Sequence, residues 1–268
     1  MKKSFLLLVL VLLYSCEEVI ELEVPSAPQK LVIDALITKS VYDTQKANVE
    51  VRLMTTSNYF DAQIPPVSAA DVTITNLSSN EIWNISESSE AGTYTKENVL
   101  LDTLSQYQLT INVDGEIYEA ISQLVRSVPI KSVVQGNQTL FTGDETEIII
   151  SYQDVKDRED FYFIDFGYNN YFIGTDKFYD GSDFSFSFFY DEDFPKNQEI
   201  YISMLGIDEA AYNYFRILLA QSGQDGGGPF STPSSILRGN IENSTHPENF
   251  PLGYFRISEK DQVPFTAE

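Results

Sequence analysis

The chain has 268 residues, with 17 Lys and Arg against 40 Asp and Glu, a formal charge of −23 at pH 7. A polyanion of this kind does not hold nucleic acid through its phosphates, and it does not adhere to an anionic lipid surface by charge. With 43% hydrophobic residues, 13% aromatics and a single cysteine, it has a folding composition, sufficient for two ordinary domains or one large one, and no cysteine pair to staple it.

Lys2-Lys3 precede an apolar run from Phe5 to Leu13, and Leu13-Tyr14-Ser15-Cys16 follows. The run is shorter than the roughly 20 residues that cross a bilayer, so residues 1–15 read as a signal peptide. The Leu13–Cys16 segment resembles a bacterial lipobox, looser than usual at Tyr14. That resemblance implies cleavage before Cys16 and acylation of its sulfur and new amino group. One acyl chain holds a protein only marginally, whereas a triacylated cysteine is a lasting anchor. Glu17 and Glu18 resemble the acidic signal that sends lipoproteins of the Bacteroidota to the outer face of the outer membrane. Their plainer reading is the start of an acidic tether over 16–28, which Pro25 and Pro28 close without periodicity.

Strand-like runs begin at Leu31-Val32-Ile33. Val49, Val51 and Leu53 alternate with polar residues, as do Val72 and Ile74, and then Tyr107, Leu109, Ile111 and Val113, while Ile82-Trp83-Asn84-Ile85 forms a further run. Period-two alternation buries one face and wets the other. Asp114-Gly115, between the last run and Ile117–Ile121, is a hairpin signal. Strands at about ten-residue spacing predict an immunoglobulin-like β-sandwich over residues 29–127. Val128-Pro129 reads as a joint, because proline fixes its own φ and biases its predecessor towards extended backbone.

Residues 128–268 read as a second β-rich, sandwich-like domain. Glu147–Tyr152, Phe161–Ile173, Phe184–Tyr190 and Glu199–Ile207 are its strand candidates. Asp208 is a suitable N-cap for one amphipathic helix near 208–222, with Tyr212, Phe215, Leu218 and Leu219 as its apolar stripe and Gly223 as a stop. Ile236–Ile241 and Leu252–Ile257 are predicted as the last strands. The fold class is therefore mostly β, in two parts.

No sequence motif supplies a catalytic centre. There is no G-x-S-x-G, no H-E-x-x-H and no P-loop, and zinc would need more Cys and His than the chain has. His246 is the only histidine and sits in a turn-rich loop, so it reads as an exposed loop residue. Asp176, Asp180 and Asp183, and Asp191-Glu192-Asp193, are loop carboxylates. Hard oxygen ligands suit calcium, but the spacing is not that of an EF-hand, and a solvated acidic loop is the favoured reading. Tyr168, Tyr171, Phe172, Phe178 and Tyr179 are candidates for an exposed stacking platform, although their alternation with polar residues argues first for core packing. Gly226-Gly227-Gly228 is not placed as a phosphate cradle and reads as a surface loop of the kind that contacts partners. Asp102-Thr103-Leu104 resembles the O-glycosylation signal of Bacteroidota, with an ordinary turn as the alternative.

Several patterns resemble one family. They are the lipobox cysteine, Leu31-Val32-Ile33-Asp34-Ala35-Leu36-Ile37, Gly92-Thr93-Tyr94, Tyr107-Gln108-Leu109-Thr110-Ile111 with Tyr118, the helix with Tyr212 and Tyr214, Pro229-Phe230, Gly239-Asn240-Ile241 and Leu252-Gly253-Tyr254-Phe255. In order and spacing they resemble a Bacteroidota outer-membrane lipoprotein family known as a domain of unknown function (DUF4249). The resemblance implies a surface accessory to a TonB-dependent outer-membrane receptor, not an enzyme, with no cofactor beyond the lipid on Cys16. A free-standing glycan- or peptide-binding lipoprotein is the second expectation, and a hydrolase using His246 or a carboxylate pair the weakest.

Overall fold

The computed structural model describes residues 28–43, 45–58, 61, 63–140, 143–190, 197–222 and 236–267. Cys16, Glu17 and Glu18, with the rest of the leader and nearly all of the tether, lie outside them. So do 191–196, the helix stop at Gly223, and 224–235 with Gly226, Gly227 and Gly228.

Mostly β is what forms. Seven strands come from the first half: β1 (Leu31–Ser40), β2 (Lys46–Thr55), β3 (Asp71–Asn76), β4 (Ile82–Glu87), β5 (Thr93–Leu100), β6 (Gln106–Val113) and β7 (Glu116–Val125). Asp114 and Gly115 both take positive φ, 53° and 81°, which the tight β6–β7 turn requires. The second half adds β8 (Ile130–Gln135), β9 (Thr146–Gln153), β10 (Phe161–Asp165), β11 (Tyr171–Thr175), β12 (Asp183–Tyr190), β13 (Glu199–Ile207), helix α1 (Glu209–Gln221), β14 (Glu242–Asn243) and β15 (Leu252–Thr266).

The immunoglobulin-like sandwich expected over 29–127 is not reproduced. Its strands form one sheet in the order β1-β2-β5-β4-β3-β6-β7, and β15 closes that sheet into an eight-stranded barrel. β15 runs parallel to β1 from Val32↔Leu252 to Ser40↔Lys260, and meets β7 at Ile257↔Leu124 and Ser258↔Val125. The alternation read in the sequence holds: Ile33, Ala35, Ile37, Val49, Val51 and Leu53 point inward, with Ile74, Tyr107, Leu109, Phe255 and Ile257 opposite them. Each such aliphatic side chain contributes about 1.5–3 kcal/mol by leaving water. A sheet curls shut because closure leaves no unpaired edge, and here the closing strand comes from the far end of the sequence.

The rest of the β7–β15 seam is filled without a regular strand. Residues 236–241, expected as strand, carry none. Instead the Asn240 amide acts as a strand partner, donating to the Phe255 carbonyl at 2.7 Å and accepting the Phe255 N–H at 2.8 Å. Ile241 then enters the barrel core and β14 pairs with Tyr118 and Glu119 of β7. Gly253, at φ 107°, faces the Ile33 carbonyl so closely that a Cβ there would overlap it, and Gly239 meets the Gly253 carbonyl in the same way. Both glycines thus sit where backbones approach more closely than a side chain allows.

β15 does not stop at the barrel. Its second half pairs with β13, from Leu205↔Lys260 to Glu199↔Thr266, and the sheet continues through β10 to β11. A separate sheet, β12-β9-β8, faces this extension. Ile148, Ile150 and Tyr152 pack against Tyr162, Ile164, Phe166, Ile202 and Met204 between the two. Phe184, Phe186 and Phe188 share the face that meets this core, as their alternation predicts, with Phe188 stacked on Phe166 at 4.1 Å.

Two carboxylates of β15 hold the joint at Val128-Pro129. Glu259 accepts the Ser127 N–H at 3.1 Å, and Asp261 accepts the Ile130 N–H at 2.7 Å. Glu259 also pairs at 3.0 Å with Lys39, which is only 3% exposed.

Helix α1 starts where expected. Asp208 accepts the Ala211 N–H at 2.7 Å and Glu209 lies in the first turn, satisfying one orphan donor and complementing the positive end of the helix dipole. The buried stripe is Ala211, Tyr214 and Phe215. Phe215 meets Phe163 of β10 at 4.9 Å, and Tyr214 meets Tyr254 of β15 at 5.0 Å. The helix thus leans on the sheet extension beside the outer surface of the barrel.

Candidate functional site

Between α1 and the barrel lies a cleft of about 1070 Å³, at the upper end of the range for small-molecule sites. Its position follows from strand alternation. Inward residues of β1, β2 and β15 fill the barrel, so Val32, Asp34, Leu36, Glu50, Arg52, Tyr254, Arg256 and Lys260 are turned outward into this space. Sheet extension and helix supply the other wall: Phe163, Tyr171, Leu205, Tyr214, Phe215, Leu218 and Leu219.

One side is apolar and the other ionic. Arg256 pairs with Asp34 at 2.9 Å, and Arg52 with Glu50 at 2.8 Å. The Arg256 guanidinium lies 4.9 Å from the Phe215 ring and 5.9 Å from Phe163, in cation–π range of both. Asp165 accepts the Gly167 N–H at 2.8 Å. Burial pushes the Lys260 ammonium below its usual pKa, against the pull of Asp165 and Glu50. Burial, with Asp165 and Asp34 nearby, pushes the Tyr171 hydroxyl up. Four of the chain's few cations (Lys30, Arg52, Arg256 and Lys260) border this one cleft. Lys260 also borders a smaller polar cavity of about 390 Å³ beside Asn48 and Asn98.

The sequence-level candidates are distributed differently. Of the five aromatics proposed as a platform, Phe172 and Tyr179 pack in the core between the two sheets. Tyr179 stacks on Phe184 at 3.8 Å and shares a hydrogen bond of 2.8 Å with Tyr152. Tyr171 lines the cleft. Only Tyr168 and Phe178 face water, Phe178 with 91% of its surface exposed, and they sit beyond opposite ends of β11. The five do not assemble into one surface.

Asp176 and Asp180 do come together, with Asp154 in place of Asp183, whose partner is Lys131. One carboxylate oxygen from each lies within 4.8 Å of the others. Their remaining bonds serve the fold. Asp154 accepts from Tyr162 Oη at 2.7 Å and the Gly181 N–H at 2.8 Å, Asp176 accepts the Asp160 N–H at 3.0 Å, and Asp180 accepts the Asp157 N–H at 2.9 Å. Burial, and then the charges of Asp154, Asp160 and Asp180, push the Asp176 carboxyl above its usual range. The three oxygens are of the hard type that calcium takes, and they fasten the β9–β10 and β11–β12 loops to each other.

His246 is half exposed. Its Nδ1 lies 3.3 Å from Glu116, a carboxylate that also accepts from Tyr118 Oη at 2.7 Å, Asn243 at 2.5 Å and Asn249 at 2.9 Å. Bonds from the Tyr118 hydroxyl and the Asn249 amide lead in holding Glu116 below its usual range. Among the described residues no serine or threonine hydroxyl bonds to the imidazole, so the nucleophile–base contact of a triad is not formed there.

The cleft escaped sequence reading because its lining runs from Pro28 to Lys260, with no local motif. A signal was nonetheless present: Asp34 interrupts an apolar strand, and Arg256 interrupts Tyr254-Phe255-Arg256-Ile257.

Fold and cleft together define a β-barrel joined through a shared strand to a two-sheet unit, with a binding-sized space between barrel and helix. The chain belongs to the family described as Domain of unknown function (DUF4249), which matches residues 17–263. No curated relative matches it.

Proposed function

We propose that this protein is a non-enzymatic, lipid-anchored binding subunit, held at the surface of the outer membrane through Cys16 and acting as accessory to a TonB-dependent β-barrel receptor. The cleft is its ligand site. The observation that carries the binding role is that cleft: an apolar wall facing an ionic one is the arrangement that buries a ligand and orients it. The anchor reading rests on the leader pattern, and the receptor on the family resemblance. Neither metal nor catalytic group is required.

The natively lipidated protein, purified from outer membranes under mild detergent, is expected to bring a stoichiometric TonB-dependent barrel detectable by mass spectrometry. Its repeated recovery without a barrel would remove the accessory role and leave a free-standing binder of glycans or peptides using the same cleft. That second reading no longer draws support from the five aromatics. We also infer that the immunoglobulin-like part of the chain is the second half, whose three-strand sheet over a four-strand sheet supports such a sandwich.

A further inference from the structure

We propose that the cleft takes an amphiphile with one acidic head group, its carboxylate or comparable anion set against Lys260 and its apolar body laid along the α1 wall. The inference rests on the reading of the cleft as the ligand site and adds the chemistry of what enters it.

Unspent polar capacity in the cleft is cationic. Its inner carboxylates are already engaged: Asp34 by Arg256, Glu50 by Arg52, and Asp165 by the Gly167 N–H. Glu248 stands at the exposed rim. The Lys260 ammonium is different. Among the described residues it makes no hydrogen bond and no ion pair, although the side chain is half-buried and carries three donors. The Arg256 Nε is buried and without an acceptor. Lys260 and Arg256 lie on the same outward face of β15, and a buried donor left unmatched is costly, so an incoming acceptor gains what the fold alone leaves unmade. Opposite them stands the wall built by the sheet extension and α1. Leu205, Phe215 and Leu218 offer only apolar surface, and apolar surface is stabilised by an apolar ligand. A fully polar anion would leave that wall wet, and an uncharged hydrocarbon would leave Lys260 unmatched.

Binding is measured by titration calorimetry on the full mature chain, with dodecanoate, dodecanol and dodecyltrimethylammonium below their micelle concentrations. Dodecanoate is expected to bind at one site at least about tenfold more tightly than either of the others. Lys260→Gln should erase that preference while leaving dodecanol unchanged. Leu218→Glu, at a half-exposed position on the helix wall, should weaken dodecanoate and favour the cationic probe. Equal binding of the three probes, or a preference that survives Lys260→Gln, overturns the acidic head group and leaves the cleft as a site. Failure of all three to bind overturns the amphiphile. Neither result bears on whether a barrel is recovered with the lipidated protein, so the accessory role stands or falls separately.

Discussion

At the scale of single residues, Asp176 shows how a site suggested by composition becomes a structural element. The sequence marked it as a loop carboxylate facing water, but it is buried and its nearest charges are like charges. Its carboxyl is therefore held above its usual range. A proton favours the folded form, so the stability linked to this group is complete below the ordinary aspartate pKa and is lost as pH rises through the folded-state value. Asp176→Asn keeps an acceptor for the Asp160 N–H and removes the charge. The difference in thermal midpoint between Asp176→Asn and the parent should therefore grow in favour of the variant from about pH 4 to neutrality. A difference independent of pH would show that the charge is not felt. The pairing of Asp176 with Asp154 rather than Asp183 was not legible, because it depends on two loops meeting across the sandwich. Asp183 opens β12 and points to Lys131 instead.

At the scale of elements, strands with clean alternation were legible and strands held by distant contacts were not. β1, β2, β3 and β6 follow their sequence pattern, and α1 begins at the aspartate its capping chemistry requires. β5 gave no such signal, since the adjacent Glu97 and Asn98 are both exposed in its middle and its pairing with β2 shifts between Ala47 and Val49. β15 was read only to Ile257, because Ser258-Glu259-Lys260-Asp261-Gln262 looks like a loop. Those polar residues are the ones that grip the joint and line the cleft. The strand expected at 236–241 failed because one side chain, Asn240, does the pairing. Asn240→Ala strips both partners from the buried Phe255 backbone, and should cost about 2 kcal/mol or more in urea unfolding, at about 1–3 kcal/mol for each buried polar group left unmatched. A loss under about 0.5 kcal/mol would mean that water replaces the amide.

At the scale of the whole molecule, the two expected units are not separable as drawn. Val128-Pro129 lies between β7 and β8, and the barrel's closing strand lies far from it, at Leu252–Lys260, within the same β15 that pairs with β13. A fragment of residues 29–127 has a barrel with an open gap where β1 and β7 await a neighbour. It should give no cooperative unfolding transition by circular dichroism, whereas the full chain should unfold in one calorimetric transition. A fragment that melts cooperatively would show that the first seven strands close without β15. Nothing local in the sequence reveals this arrangement, since parallel pairing of the first strand with the last leaves no turn between them to recognise.

The register that joins Val32 to Leu252 also bears on time. Loop closure across so much chain is slow, because its entropy is lost before its contacts form. During synthesis, which proceeds from the N-terminus at roughly 5–20 residues per second, the first seven strands are made long before the strand that shuts their barrel. For a chain proposed to cross one membrane and be acylated near its start, such a delay keeps the leading half threadable until the trailing half has been made.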